Sequence, residues 1–538
     1  MFVPCRSRQF LRTVFLCISL LTVIFILRTS LPGASKRVKY VINEVQFNWE
    51  TSTSDTTTVV EQDDEEVDAE VAEDWALDEA NIPDVAFMIG TKKGGPKYIK
   101  PNCAKFPNLF TVRFSNTHWQ FQETANESYY LYSAYLDMRG NNGSEITETT
   151  SSVVRVLGMS DALLMDQKNA TLKMCQFWYK DRREPELTPI SDLRMIWNHK
   201  WGRGHYYPYL ITCQLPLYFK QVPVSVSVVS KKCESATNNL NIIHRDRVEL
   251  SQRTPQKNFG VCVKALDFPH GYMLSRLVEW IETLRLLGAD KLFLYEFYVD
   301  SDIKKVLDYY ESKGIIDVKQ TTLPGELPNH PQLRHLYIRG KKGDKRLTEL
   351  IPYNDCILRN MYDYKYVAVL DTDEIIMPKD NNMNWNELIK TVNKEDIGLE
   401  SIKKEAITTY CSRNYYFLDG MLSKTNTDDE IAAIPLGFHM LRHVYRSNNH
   451  TGNGYAKCFH STEHTLGVHN HYPLFCRNKC KRHYFNLERA QMNHYRSTCV
   501  PEIKNCTQYL TDTERDTNLW KHKDILMSRV QTILEIVN

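Results

Sequence analysis

The sequence predicts an α/β domain, a mainly parallel sheet with helices on its faces, preceded by an all-β, sandwich-like domain. Three observations carry this. Between about Val85 and Ser251 the apolar runs are of β type only. From Gly260 onward, apolar runs of strand length alternate with stripes of helical period. Finally, "YVAVLDTDEIIMP", residues 366 to 378, is a run of β-formers broken by three carboxylates, Asp371, Asp373 and Glu374. A buried strand that ends in clustered negative charge is costly unless a positive group sits beside it.

The elements follow in order. Arg6, Arg8 and Arg12 precede an uncharged apolar stretch, Val14 to Leu27. It predicts a cytosolic tail over 1–12 and a signal-anchor transmembrane helix over 13–31, with Arg12 and Arg28 snorkelling at its ends. The competing reading is a cleaved signal peptide, with Gly33-Ala34 as the processing site. Either way the rest of the chain lies outside the cytosol. Residues 32–84 predict an acidic disordered stem, since no Lys or Arg occurs from Val41 to Thr91 and nothing there can build a core. The β-rich domain spans 85–255, with runs such as "ESYYLYSAYLDMR", "YYPYLITCQLPLYF" and "VPVSVSVVSKKC"; in the last, Val224, Val226 and Val228 share a face. The α/β domain spans 256–538. "GVCVKAL" is a strand, Leu274 to Leu284 a helical stripe stopped by Gly288, and "KLFLYEFYV" the next strand. Ile303 to Tyr310 repeat the stripe, "IIDVKQTTL" is a third strand, and "NDCILRNMYDY" a short helix that feeds a fourth.

Composition points to the secretory pathway. Of 14 cysteines, all but Cys5 and Cys17 lie beyond the apolar stretch, and most are expected to pair. Cys476/Cys480 and Cys499/Cys506 are the close candidates. A zinc site built from Cys476, Cys480, His483, His494 and Cys499 is the rival reading of the same residues. Sequons for N-glycosylation stand at Asn126, Asn142, Asn169, Asn449 and Asn505. The net charge of +2 excludes the basic character of a nucleic-acid binder.

Along an extended strand Asp371 and Asp373 project to one side and Thr372 to the other. Two convergent carboxylates suit a hard divalent ion such as Mg²⁺ or Mn²⁺, which in turn holds a diphosphate. An EF-hand loop does not fit, because Ile375 stands where the fifth position needs an oxygen ligand and no glycine follows. Two other classes share features of the motif. A haloacid-dehalogenase-like phosphatase uses Asp-x-Asp with the first Asp as nucleophile, although there the motif follows the first strand and not the fourth. A membrane-anchored, non-catalytic lectin would need neither aspartate.

"NDCILRNMYDYKYVAVLDTDEIIMP" resembles the core motif of glycosyltransferase family 92, which includes animal β-1,4-galactosyltransferases acting on core fucose of N-glycans. "YLYSAYLDMR", "LVEWIETLRLLGADKLFLYEFYV", "TLGVHNHYP" and "NHYR" at Asn493 to Arg496 extend the resemblance from about Tyr129 to Arg496. It implies a GT-A fold, a UDP-sugar donor (UDP-galactose above all), a glycan acceptor, Mn²⁺ and inversion. It implies a single-pass type II protein of the Golgi membrane with its catalytic domain in the lumen. Under it, Asp371 and Asp373 bind the metal and the donor. "TLGVHNHYP" offers a further ligand, His469 in preference to His471. The inverting reaction needs a carboxylate base; Asp419, Asp428, Asp429, Glu430 and Glu463 lie downstream with nothing to choose among them.

Overall fold

The computed structural model describes residues 102–537 apart from 140–151, 165–166, 181, 183, 198–203, 217–220, 246–255, 399–405, 426–428 and 500–505. The predicted anchor and stem, and the sequons at Asn142 and Asn505, lie outside the described residues. Among the described residues no helix is long and apolar enough to cross a membrane. Asn126, Asn169 and Asn449 are exposed, and the Asn449 amide donates to Asp512.

The N-terminal part is β throughout: β1 (Phe114–Asn116), β2 (Trp119–Glu123), β3 (Ser128–Asp137), β4 (Val153–Ser160), β5 (Met174–Trp178), β6 (Glu186–Met195), β7 (Tyr207–Gln214), β8 (Ser225–Val229) and β9 (Leu240–Ile243). The expected sandwich is not what these strands build. The order β3-β4-β7-β6-β5-β8-β9 returns to β3, where Ala134 and Tyr135 pair in parallel with Ile242 and Ile243. β2 takes the earlier half of the same β3 edge. The result is a barrel-like ring. Closure pairs β9 back onto β3, covering edges that a sandwich of the same strands would have to protect.

β10 (Lys257–Phe268), β11 (Lys291–Val299), β12 (Ile316–Gln320) and β13 (Tyr364–Val369) run parallel in the order β12-β11-β10-β13. The first crossover steps one way from β10 and the chain then returns to place β13 on its other side. The sheet is mixed beyond that point. β18 (Lys457–Ser461) runs antiparallel to β13, β15 (Thr409–Ser412) antiparallel to β18, and β21 (Arg482–Tyr484) parallel to β15. A separate three-stranded sheet joins β14 (Glu374–Pro378), β22 (Ala490–Arg496) and β16 (Asn414–Leu418). Shorter pairs are β17 (Tyr445–Ser447) with β23 (Thr513–Arg515) and β19 (Thr465–Val468) with β20 (Pro473–Cys476).

Alternation along the strands sorts two cores. Val261, Val263, Ala368 and Leu370 face one side, with Leu277, Val278, Ile281 and Leu284 of α1 (Leu274–Leu287) and Ile303, Val306 and Leu307 of α2 (Ser301–Ser312). Cys262, Val367 and Val369 face the other side, with Ile351, Ile357 and Leu358 of α5 (Leu350–Arg359); α3 (Pro331–Gly340) and α4 (Lys342–Thr348) precede it. That second core is continuous with the barrel, through Leu131, Tyr135, Val154 and Ile211 among others. At the junction the buried Asp355 carboxylate accepts from Tyr135 of β3, Tyr295 of β11 and Arg359. Burial works against its charge, and Arg359 and Lys319 prevail, holding its pKa well below the ordinary 3.8.

Twelve cysteines form six disulfides: 103–233, 175–213, 262–356, 411–458, 476–480 and 499–506. Both close pairs expected from the sequence are present. The same bonds remove Cys476, Cys480 and Cys499 from any zinc site.

Candidate active site

The strand β13 runs out at Val369, and the chain turns instead of extending through the acidic motif. The Asp371 N–H donates to Glu374 Oε2 at 3.0 Å, and the Glu374 N–H donates to the Asp371 carbonyl at 3.1 Å. Trp280 of α1 holds the turn from below, its indole N–H donating to the Glu374 carbonyl at 2.9 Å. The turn lies beside the carboxyl-terminal part of β10, where the strand order reverses. Open α/β sheets bind their ligands at such switch points.

The groups that meet the acids are two lysines and a histidine. Val263 pairs with Leu294 and Ala265 with Tyr295, so Lys264 is the extra residue of a bulge. Bulges re-aim side chains beside functional sites; here the Lys264 ammonium sits 2.8 Å from Asp371 Oδ1 and 3.3 Å from Glu349. Lys457, fully buried at the start of β18, stands 3.2 Å from Asp371 Oδ2 and 2.8 Å from Glu374 Oε2. His494 lies across β22 from Glu374 and brings Nε2 to 3.4 Å from Asp373 Oδ2.

These contacts set the charges. Burial opposes ionisation of Asp371, and the ammonium groups of Lys264 and Lys457 overcome it, holding the carboxyl well below its usual range. Burial also opposes the Asp373 charge, and His494 leads the groups that lower its pKa. Burial keeps Glu374 above the ordinary value although Lys457 pulls the other way. Desolvation disfavours the charge on Lys264 too, and Asp371 and Glu349 outweigh it.

A cavity of about 560 Å³ opens over this turn. Asp371, Glu374 and Glu349 supply its acids; Lys342, Lys345 and Arg346 of α4 supply a basic wall; Trp197, Tyr416, Tyr455 and Tyr472 supply aromatic surface. His469, His471 and His494 also line it. The strap after β19 crosses the cavity, and the residue of it that reaches Asp371 is Asn470, at 3.4 Å. His469 stacks on Tyr472 and meets the Trp197 ring at 4.5 Å. Asp371 and Asp373 thus belong to one turn, but of the two only Asp371 lines the cavity; His469 lines it as well, without closing a three-ligand cluster with them.

Whether the site suits a divalent ion turns on Asp373. Asp371 is taken up by lysines, but the Asp373 side chain is 36% exposed beside an imidazole nitrogen 3.4 Å away. Neighbouring ligands on an octahedral ion with bonds of about 2.1 Å stand about 3 Å apart. One carboxylate oxygen and one imidazole at this spacing fit an ion such as Mn²⁺.

The Asn-Asp-Cys triplet of the sequence motif is scaffold. Asn354 clamps Val468 through both its N–H and its carbonyl, Asp355 anchors the barrel, and Cys356 is bonded to Cys262 of β10. Of the proposed bases, Asp428 lies outside the described residues, Glu430 pairs with Arg515, Glu463 with Arg477, and Asp419 with His439 and His443. Of the described ones, neither Asp419, Asp429, Glu430 nor Glu463 lines the cavity. Sequence reasoning missed Lys264, Lys457 and Glu349. A lysine inside the otherwise apolar strand "GVCVKAL" was the available signal for the first.

An acidic turn at a sheet's switch point, charge-balanced in a cavity with basic and aromatic walls, is suited to transfer of an anionic, activated sugar. The family model described as glycosyltransferase family 92 matches residues 257–529, just over half of the sequence, and the chain belongs to that family. That membership favours the glycosyltransferase reading over the phosphatase one. Beta-1,4-galactosyltransferase galt-1 of Caenorhabditis elegans is 28% identical over 262 residues, covering 47% of this chain and 52% of that protein. The chain thus spans about half the length of this curated relative.

Proposed function

We propose that the protein is a metal-dependent, inverting transferase of the Golgi lumen with a GT-A fold, anchored by its N-terminal apolar segment. It moves galactose from UDP-galactose to a glycan acceptor, in particular fucose of the N-glycan core. The observation that carries this reading is the pairing of the Asp371–Glu374 turn with the basic wall of α4 across one cavity. A diphosphate is a dianion or more; Lys342, Lys345 and Arg346 attract it, and the carboxylates would repel it without a cation between them.

Asp373 and His494 would hold that cation, with Asp371 close by, and the ion would supply Lewis-acid stabilisation of the leaving UDP. The protein's own groups do the rest. Lys264 and Lys457 keep Asp371 ionised and fixed in position. Glu374 ties the turn shut through the Asp371 N–H. Tyr416, Tyr455, Tyr472 and Trp197 offer flat apolar surface of the kind that sugar rings stack on, and they exclude water from the transfer. The donor and acceptor sugars are carried by the family resemblance and by the relative's name.

The test is incubation with each UDP-sugar, Mn²⁺ and a panel of N-glycans, read by glycan mass spectrometry. Galactose is the sugar expected to appear, on fucosylated acceptors, and Asp373→Asn is expected to abolish it with the fold intact. Transfer of another hexose only would overturn the donor assignment. Full activity of Asp373→Asn at limiting Mn²⁺ would overturn the metal assignment.

A further inference from the structure

A second cluster of ligand-type side chains lies on the opposite face of the β14-β22-β16 sheet. On the cavity face, Tyr416 packs on His494 with ring centroids 5.4 Å apart. On the other face, Phe417 stacks on Tyr495 at 4.8 Å, and Tyr495 lies 6.1 and 6.0 Å from the rings of His439 and His443. Asp419, just beyond β16, places Oδ1 3.3 Å from His439 Nε2 and 3.0 Å from His443 Nε2. Among the described residues this is the one set of three His, Cys, Asp or Glu whose ligand atoms all lie within 4.8 Å of one another.

The cluster is built, not incidental. The buried Glu279 carboxylate of α1 accepts the backbone N–H groups of His439, Met440 and Leu441 at 2.7, 2.9 and 2.9 Å. That fixes the turn carrying both histidines. His443 Nδ1 lies 2.6 Å from the His439 carbonyl. A carbonyl can only accept, so Nδ1 carries the proton, and Nε2 of the neutral ring presents a lone pair to a carboxylate oxygen. Two acceptors 3.0 Å apart need a positive centre between them. An imidazolium proton on the buried His443 would serve that pair, and a His439 ring protonated at Nε2 would donate to the same oxygen, so two separate protons would be needed. A metal ion serves all three atoms, and a ring N–H given to a backbone carbonyl is the usual support of a metal-bound histidine. Of the charged groups facing the cluster from α1, Arg276 works against a cation and Glu279 in favour of one.

We propose that Asp419, His439 and His443 bind a divalent transition-metal ion, with zinc the best match to two imidazoles and one carboxylate. Tetrahedral zinc with bonds of about 2.0 Å separates its ligands by about 3.3 Å, close to the spacings here. The Asp419 side chain is 34% exposed, which leaves the fourth position to water. The ion would join the segment after β16 to the turn after Phe438 and back Tyr495. The Tyr495 N–H donates to the Asp373 carbonyl at 2.8 Å, so the brace reaches the acidic turn from behind.

The test uses the full-length chain carrying Asp373→Asn, so that zinc does not fill the acidic turn. After chelation it is titrated with Zn²⁺ by calorimetry. One equivalent is expected to bind, with affinity at least about tenfold weaker when Asp419→Asn or His443→Ala is added. Because His443 is buried, the same question is put to the zinc-loaded chain without those two substitutions. X-ray absorption at the zinc edge is expected to show two imidazole ligands. No zinc bound, a titration insensitive to both substitutions, or a spectrum without two imidazoles would each overturn the proposal.

Discussion

Replacing Lys457 by methionine tests the electrostatic account of the acidic turn. The substitution keeps most of the buried volume and removes the charge 2.8 Å from Glu374 and 3.2 Å from Asp371. With an effective dielectric constant of about 20, each contact is worth roughly 5–6 kcal/mol of Coulomb energy. Against this stands the desolvation of the ammonium, several kcal/mol, which the variant no longer bears. The net loss expected is about 3–5 kcal/mol at neutral pH, the range for a buried pair that loses one partner. The pH dependence follows from the directions of the shifts. Lys457 is raised above its ordinary 10.5, so its contribution is complete below 10.5 and is lost as pH rises through the folded-state value. Glu374 is raised by burial, so in the variant it takes up a proton more readily and the penalty shrinks in acid. Urea unfolding followed by tryptophan fluorescence at about pH 8 and about pH 5 reads both effects. Adding Glu374→Gln to Lys457→Met should recover part of the loss. A cost below about 1 kcal/mol at both pH values, or a double variant no more stable than the single, would refute the reasoning.

Other substitutions separate the remaining claims. His494→Ala should raise the Mn²⁺ concentration for half-maximal transfer about tenfold or more, and His469→Ala should do less; indistinguishable titrations would remove His494 from the metal site. Asp137 lies 2.8 Å from both Arg139 and Arg155, and although burial opposes its charge they hold its pKa well below 3.8. Its stabilisation is therefore complete above 3.8 and fades as pH falls toward the folded-state value. Asp137→Asn should cost about 3–5 kcal/mol at pH 7 and visibly less near pH 3, and an equal cost at both would count against the pairing. The Ile242 N–H donates to the Val224 carbonyl at 3.1 Å. Ile242→Pro should lose about 1–3 kcal/mol and open the β8–β9 pairing to protease, whereas an unchanged digestion pattern would argue against that pairing.

Local pattern made much of this architecture legible. The stripes from Leu274 and Ile303 are helices, and "YVAV" is a strand whose end delivers the acids. What pattern could not supply was partnership at long range. Alternation in "VPVSVSVV" tells which residues share a face, but not that β9 closes on β3. Asp371 and Asp373 were expected on one strand face; a tight turn presents them instead, and period-two reasoning stops where the ladder stops. The lysines that neutralise them come from 107 residues upstream and 86 downstream of Asp371, separations at which spacing carries no information. His494 was visible in "NHYR" and offered only to a zinc site with cysteines, because its neighbour Asp373 is a neighbour only across β14 and β22.

The Asp355 junction bears on what can be exchanged between relatives. The stretch matched to the family begins at residue 257, yet Asp355 within it takes a hydrogen bond from Tyr135, more than a hundred residues before that boundary. A chimera cut at 257 would strand a buried carboxylate without one of its donors and bare the apolar face that α5 shares with the barrel. The matched stretch and the packed unit therefore begin at different places. A barrel taken from a distant relative would have to bring its own counterpart of Tyr135.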